Sequence, residues 1–169
     1  VYAESNQKGK KTKSDEHYVV YDVIQTNKSS VTDFMLVING PVDTLYDGAK
    51  IIFKVSVSSK KRAYPFAAPE VTCITSIYHP NIDRHGNICL DILASGWVAA
   101  QTLESIATSL SSFLDEPNPD DPLYPEAATL FKSNRKAYDI KVKDFVSKYA
   151  TDVEYLRIKQ GGDTETKQS

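Results

Sequence analysis

The order of its hydrophobic periods constrains this chain most: apolar residues recur at every second position up to Ile77, and at every third or fourth after Trp97. Tyr18 to Gln25 and Val31 to Asn39 are rich in β-branched and aromatic residues and flank the polar stretch TNKSS, which predicts a hairpin. KIIFKVSVS, from Lys50, sets Ile51, Phe53, Val55 and Val57 against Ile52, Lys54 and Ser56, the pattern of a strand buried on one face. EVTCITSI, from Glu70, repeats the pattern with Val71, Cys73, Thr75 and Ile77. Successive strands with short links predict an antiparallel meander.

The period then changes. Thr102 is placed to cap a helix with Leu103, Ile106, Ala107, Leu110, Phe113 and Leu114 on one face, and Pro117 ends it. DEPNPDDPLYP reads as a proline-punctuated loop. A helix follows from Pro125, and a last one carries Tyr138, Val142, Phe145, Val146 and Tyr149 on one stripe. Strands first and helices afterwards predict an α+β fold, a four-stranded antiparallel meander sheet followed by packed helices. Residues 1–16, polar with a basic cluster and no apolar stripe, read as a disordered arm; 17–151 form the domain; 152–169 take the end of the last helix and a disordered tail.

At 169 residues the chain suits one core. A net charge of −2 gives no reason to expect nucleic acid or membrane as a partner. Two cysteines make no disulfide framework, and there is neither a long apolar run nor a signal-peptide pattern, so a cytoplasmic or nuclear setting is expected. The chain begins with Val, so a removed targeting segment would be out of view.

Chemistry concentrates in YHPNIDRHGNICLDIL, Tyr78 to Leu93. Cys73, His79, His85 and Cys89 lack the paired spacing of zinc sites, so no metal is expected. The base of a Cys-His protease usually comes from a distant segment, so nearness of His79 and His85 to Cys89 is weak support for a dyad. His79, immediately before Pro80, reads better as a turn brace, and His85 as an exposed turn residue. Cys73 shares the buried face of Val71 and Ile77 and reads as a small core residue. Cys89 follows a glycine turn outside the regular strands, and its residue pattern leaves core and nucleophile both open.

From about Phe34 through Ala150 the chain resembles the ubiquitin-conjugating enzymes: GPVDTLYDG, YPFAAPEV, YHPNIDRHGNICLDIL, Trp97, EPNPDDPL and SNRKAYD stand in family order and spacing. The resemblance implies that Cys89 accepts ubiquitin as a thioester from an activating enzyme and passes it to a lysine amine or to a ligase. Protein substrates complete the partners, and no cofactor is implied, since ATP is used by the activating enzyme. Transthiolation needs no resident histidine, because even a minor thiolate fraction is strongly nucleophilic. The resemblance gives Asn81 either oxyanion stabilisation or ordering of the nearby loop. It assigns Asp121 to orienting the attacking lysine or taking its proton, and leaves His79, Pro80 and Asp91 to support the site. Ligase contact falls to Phe66, Trp97, Val98, Ala99 and Ala100.

Three departures stand out. Val98-Ala99-Ala100 replaces the frequent Ser-Pro-Ala, SSKKRA lengthens the loop before Tyr64, and residues 1–16 do not read as the family's first helix, which is therefore missing or abbreviated. The alternatives are a carrier of another ubiquitin-like modifier, or a non-catalytic adaptor. Adaptor variants lack the cysteine, whereas Cys89, Asn81 and Asp121 are all present here.

Overall fold

Backbone pairing follows the hydrophobic alternation. In the computed structural model, which describes residues 19–25, 33–57, 66–88 and 97–161, β1 (Val20–Gln25), β2 (Asp33–Asn39), β3 (Lys50–Ser56) and β4 (Glu70–Cys73) pair antiparallel in the order β1-β2-β3-β4. The meander expected from the sequence is what forms. Its register sets Leu36 opposite Phe53 and Ile38 opposite Ile51. With Val55, Val71 and Cys73 these residues make the sheet's buried inner face.

Helix α1 (Leu103–Asp115) adds Ile106, Ala107, Leu110, Phe113 and Leu114 to the same core. Its start is fixed reciprocally: Ser105 N–H donates to Thr102 Oγ1 at 3.2 Å, and Thr102 N–H donates to Ser105 Oγ at 3.1 Å. Leu103, on the expected stripe by spacing, lies in the first turn and is exposed. α2 (Pro125–Ser133) begins with a proline that has no N–H to satisfy. α3 (Arg135–Tyr149) is capped by Asn134, whose Oδ1 accepts the Ala137 N–H at 3.1 Å, and it buries Tyr138 and Val142.

Two features differ from the sequence pattern. The fourth strand, expected to reach Ile77, ends at Cys73. There the Ile52 carbonyl receives the N–H groups of both Ile74 (2.8 Å) and Thr75 (3.3 Å), while Ile52 N–H donates to the Thr75 hydroxyl at 2.9 Å. A side-chain oxygen thus replaces the ladder's next carbonyl. Burial still alternates through Val71, Cys73, Thr75 and Ile77.

Ile52 is the second. Alternation groups it with Lys54 and Ser56 on an open face, yet it is buried, because a further helix, α4 (Asp152–Lys159), covers that outer face. Tyr155 packs there with Val37 and Ile52, flanked by Ile24, Met35, Ile74 and Ile158. The Ala150 carbonyl, just beyond α3, accepts the Lys50 N–H at 2.8 Å, and Thr151 caps the new helix by accepting the Glu154 N–H at 3.2 Å. Residues 152–159 are therefore a helix in their own right. The arm at 1–16, the family's first helix and most of the expected tail lie outside the described residues.

Candidate active site

The corner formed by His79, Pro80 and Asn81 leads out of the core, and its first residue is sealed in. His79 is fully buried between Phe113, with ring centroids 4.8 Å apart, and Tyr46, at 6.4 Å. Its Nδ1 accepts the Asn81 N–H at 3.0 Å, so the proton of the neutral ring belongs on Nε2. Burial pushes its pKa down to about 4, and the Phe113 and Leu114 carbonyls only partly oppose that shift. A neutral ring spent on a backbone bond braces the turn.

Asn81 is also buried, and its amide is fully engaged. Oδ1 accepts the Asn118 N–H at 2.7 Å, while Nδ2 donates to the carbonyls of Asn118 (2.8 Å) and Asp121 (3.0 Å). The Pro80 carbonyl accepts the N–H groups of Leu123 (3.0 Å) and Tyr124 (2.9 Å). One side-chain amide and one carbonyl therefore stitch residues 118–124 to the corner. Asp121 is held through its backbone, and its side chain is left in solvent. Of the two roles open to Asn81, this arrangement performs loop ordering; donation to an oxyanion would require Nδ2 to release a carbonyl.

The next turn is equally determined. Asp83 Oδ1 accepts the N–H groups of His85 (2.8 Å) and Asn87 (2.9 Å), and Oδ2 accepts Asn87 Nδ2 at 2.7 Å. Burial opposes ionisation of Asp83, but these hydrogen bonds outweigh it and hold its pKa below the usual carboxylate range. Gly86 has φ +80°, and a Cβ there would collide with the Cys73 carbonyl, so only glycine fits. Its own carbonyl accepts the Cys73 N–H at 2.8 Å. His85 is exposed on this turn. Ile88, buried and bridged to Ile82, is the last described residue before position 89.

Cys89 and Asp91 lie outside the described residues. Cys73 is described and is unsuited to nucleophilic work: it is buried, burial pushes its thiol far above the usual range, and Sγ donates to the Thr75 carbonyl at 3.2 Å. Phe66 is 77% exposed and Val98 58%, Ala99 and Ala100 are exposed, and Trp97 is half-buried against the core. Apolar side chains in water at these positions suit contact with another protein.

Two contributors carry no signal of their own in the sequence. Asn118 serves Asn81 through backbone groups, which every residue type possesses. Tyr46, within GPVDTLYDG, donates its hydroxyl to the Tyr78 carbonyl at 3.2 Å and so supports the residue before His79.

A family model described as ubiquitin-conjugating enzyme matches residues 4–146. The match starts within the expected arm and stops inside α3, before α4. "Probable ubiquitin-conjugating enzyme E2 31" of Arabidopsis thaliana is 39% identical over 127 residues, which are 75% of this chain and 80% of that protein. Among solved structures, a ubiquitin conjugating enzyme E2 domain from Toxoplasma gondii aligns with a TM-score of 0.69 at 29% identity, covering 76% of this chain and 90% of that one.

Proposed function

The chain belongs to the ubiquitin-conjugating enzymes, transferases whose partners in general are ubiquitin, an activating enzyme and a ligase, and we propose that it carries ubiquitin itself as a thioester on Cys89. The Cys89 thiolate attacks the thioester carbonyl presented by the activating enzyme; a new thioester forms and the partner's thiolate departs. A lysine amine then attacks the Cys89 thioester, forming an amide, losing its proton and releasing the thiolate. Transfer to a cysteine of a ligase repeats the first step. ATP is spent by the activating enzyme, so this chain needs no cofactor.

The observation that carries this reading is the stitched corner, in which Asn81 binds the Asp121 carbonyl at 3.0 Å and keeps the Asp121 segment beside His79 to Asn81. An amine with an ordinary pKa near 10.4 is about 0.1% neutral at physiological pH, so it must be oriented and desolvated to react. The solvent-facing Asp121 carboxylate is suited to orienting it and accepting its proton. A carboxylate alone would raise a lysine's pKa, which leaves the favourable shift to desolvation. In this reading Asp91 supports the loop after Cys89, and Phe66 with Trp97 to Ala100 meets the ligase.

The test is incubation with activating enzyme, ATP and ubiquitin. A reductant-sensitive adduct should form, and Cys89→Ala should abolish it. No adduct, or one that survives Cys89→Ala, would sink the reading. Asp121→Ala should still charge while discharging more slowly to free lysine, and equal discharge would remove Asp121 from the mechanism.

A further inference from the structure

One carboxylate outside the residues assigned so far joins three parts of the candidate site. Glu126 stands in the first turn of α2. Its Oε1 accepts from Lys141 Nζ at 2.6 Å and from the Tyr78 hydroxyl at 3.4 Å, and its Oε2 accepts from Arg84 Nη2 at 3.1 Å. Arg84 also donates Nε–H to the Tyr124 hydroxyl at 3.2 Å and lies 5.3 Å from that ring's centroid. Lys141 sits 4.9 Å over the Tyr78 ring, and the Tyr78 and Tyr124 rings meet edge to face at 5.3 Å.

Three members are attached to the candidate site. Tyr78 precedes the buried His79. Arg84 lies in the Asp83–Asn87 turn, from which Ile88 runs directly to Cys89. Tyr124 is bound through its N–H to the Pro80 carbonyl, beyond Asp121 in the same stitched segment.

We propose that Glu126 is a positioning residue for the attack of the amine, fixing the turn that leads into Cys89 against the segment that carries Asp121. This rests on the ubiquitin-carrying reading given above. Glu126 touches no reacting atom; it acts through Arg84 and Tyr78. Exposed ion pairs add little to stability, and the side chains of Arg84 and Glu126 are 59% and 48% exposed. What the cluster supplies is geometry, because several donors converging on one carboxylate define its place better than a single pair. Hydrogen bonding from Lys141, then the other donors, outweighs desolvation and holds the Glu126 pKa below its ordinary value, so the hub is charged at neutral pH. Attack on a thioester is sensitive to misplacement on the scale of an ångström, and such a hub limits that displacement.

The test compares wild type, Glu126→Gln, Arg84→Met and Arg84→Lys, each charged with ubiquitin and then followed for thioester loss against free-lysine concentration. Glu126→Gln and Arg84→Met should charge normally and keep the half-saturating lysine concentration, while losing about fivefold in maximal discharge rate. Arg84→Lys should recover at least half of that loss. The double variant Glu126→Gln/Arg84→Met should be no slower than the slower single, because both changes break one network. Maximal rates within about twofold of wild type in both singles would overturn the proposal. So would a parallel fall in charging and melting temperature, the signature of a scaffold role. Failure of the wild type to form a thioester would instead remove the ubiquitin-carrying reading itself, and the role of Glu126 with it.

Discussion

Two regions of the molecule are held in place by opposite means. At the His79 to Asn81 corner the fastenings are neutral and buried or part-buried: an imidazole without charge, an amide and main-chain groups. On the outer face, α4 is held by the Tyr155 ring with Ile158 and by charge. The Tyr155 hydroxyl and Lys159 Nζ both donate to Asp22 Oδ2 at 2.6 Å. The two regions therefore resist different conditions. Neutral, sheltered bonds ignore salt but fail together when the shared partner is lost, because the orphaned groups stay partly desolvated. Half-exposed charges weaken gradually with salt and pH.

The two regions should separate most at Asn81. Asn81→Ala leaves the Asn118 N–H and two carbonyls without their partner, and should cost about 3 kcal/mol, read as a lower melting temperature. Amide exchange should accelerate at Leu123 and Tyr124 and stay unchanged in α4. Equal acceleration in both regions would show that they are one unit.

Acid should separate them next. The folded pKa of His79 lies below its ordinary 6.5, at about 4, because burial disfavours the charged ring. The unfolded chain therefore binds the extra proton first, and stability falls as pH drops from 6.5 toward 4, by up to about 3 kcal/mol. Asp22 behaves differently: burial opposes its ionisation, but hydrogen bonds from Lys159 and Tyr155 win and lower its pKa below the ordinary 3.8. Its contribution is present above that value and is lost only as pH falls through the lower folded pKa. Melting temperature followed from pH 7 to pH 3, in wild type and Asp22→Asn, should fall with the same slope between pH 6.5 and 4 in both proteins. A curve from wild type that stays flat in that interval would contradict the neutral, sealed His79.

Tyr155→Ala should cost about 2 kcal/mol by uncovering Val37 and Ile52. A helix as short as α4 has little stability of its own, so its amides should lose protection as a group. Protection at residues 118–124 should not change. The smallest effect is expected for Asp22→Asn near neutral pH, about 0.5 kcal/mol after screening, and it should vanish in 1 M salt. A salt-independent loss would mean that the Asp22 contact is not chiefly electrostatic.

Much of the fold is legible in the sequence because its causes are periodic. The alternation in KIIFKVSVS and the helical stripe from Ile106 to Leu114 report burial directly, and Thr102 announces the helix start. Ile52 is illegible for the same reason: alternation assigns it to an open face, and Tyr155 with Ile158, distant in the chain, makes that face a second small core. The early end of β4 depends on where one Thr75 hydroxyl points, which no period encodes. At the site, the resemblance singles out Asn81 and Asp121 but not how they meet. The link is a side-chain amide on a backbone carbonyl, and Asp121 would accept that bond equally well as any other residue type. Glu126 is hidden likewise, since its partners Tyr78, Arg84 and Lys141 come together only in the fold.

In the proposed mechanism, transfer chemistry depends on the stitched corner and not on α4. The most direct measurement is single-turnover discharge of preformed thioester to free lysine in Asn81→Ala and Tyr155→Ala, side by side with wild type. The expected result is a loss of at least about tenfold for Asn81→Ala and a rate within about twofold of wild type for Tyr155→Ala. A wild-type rate in Asn81→Ala, or an equal loss in both variants, would contradict it.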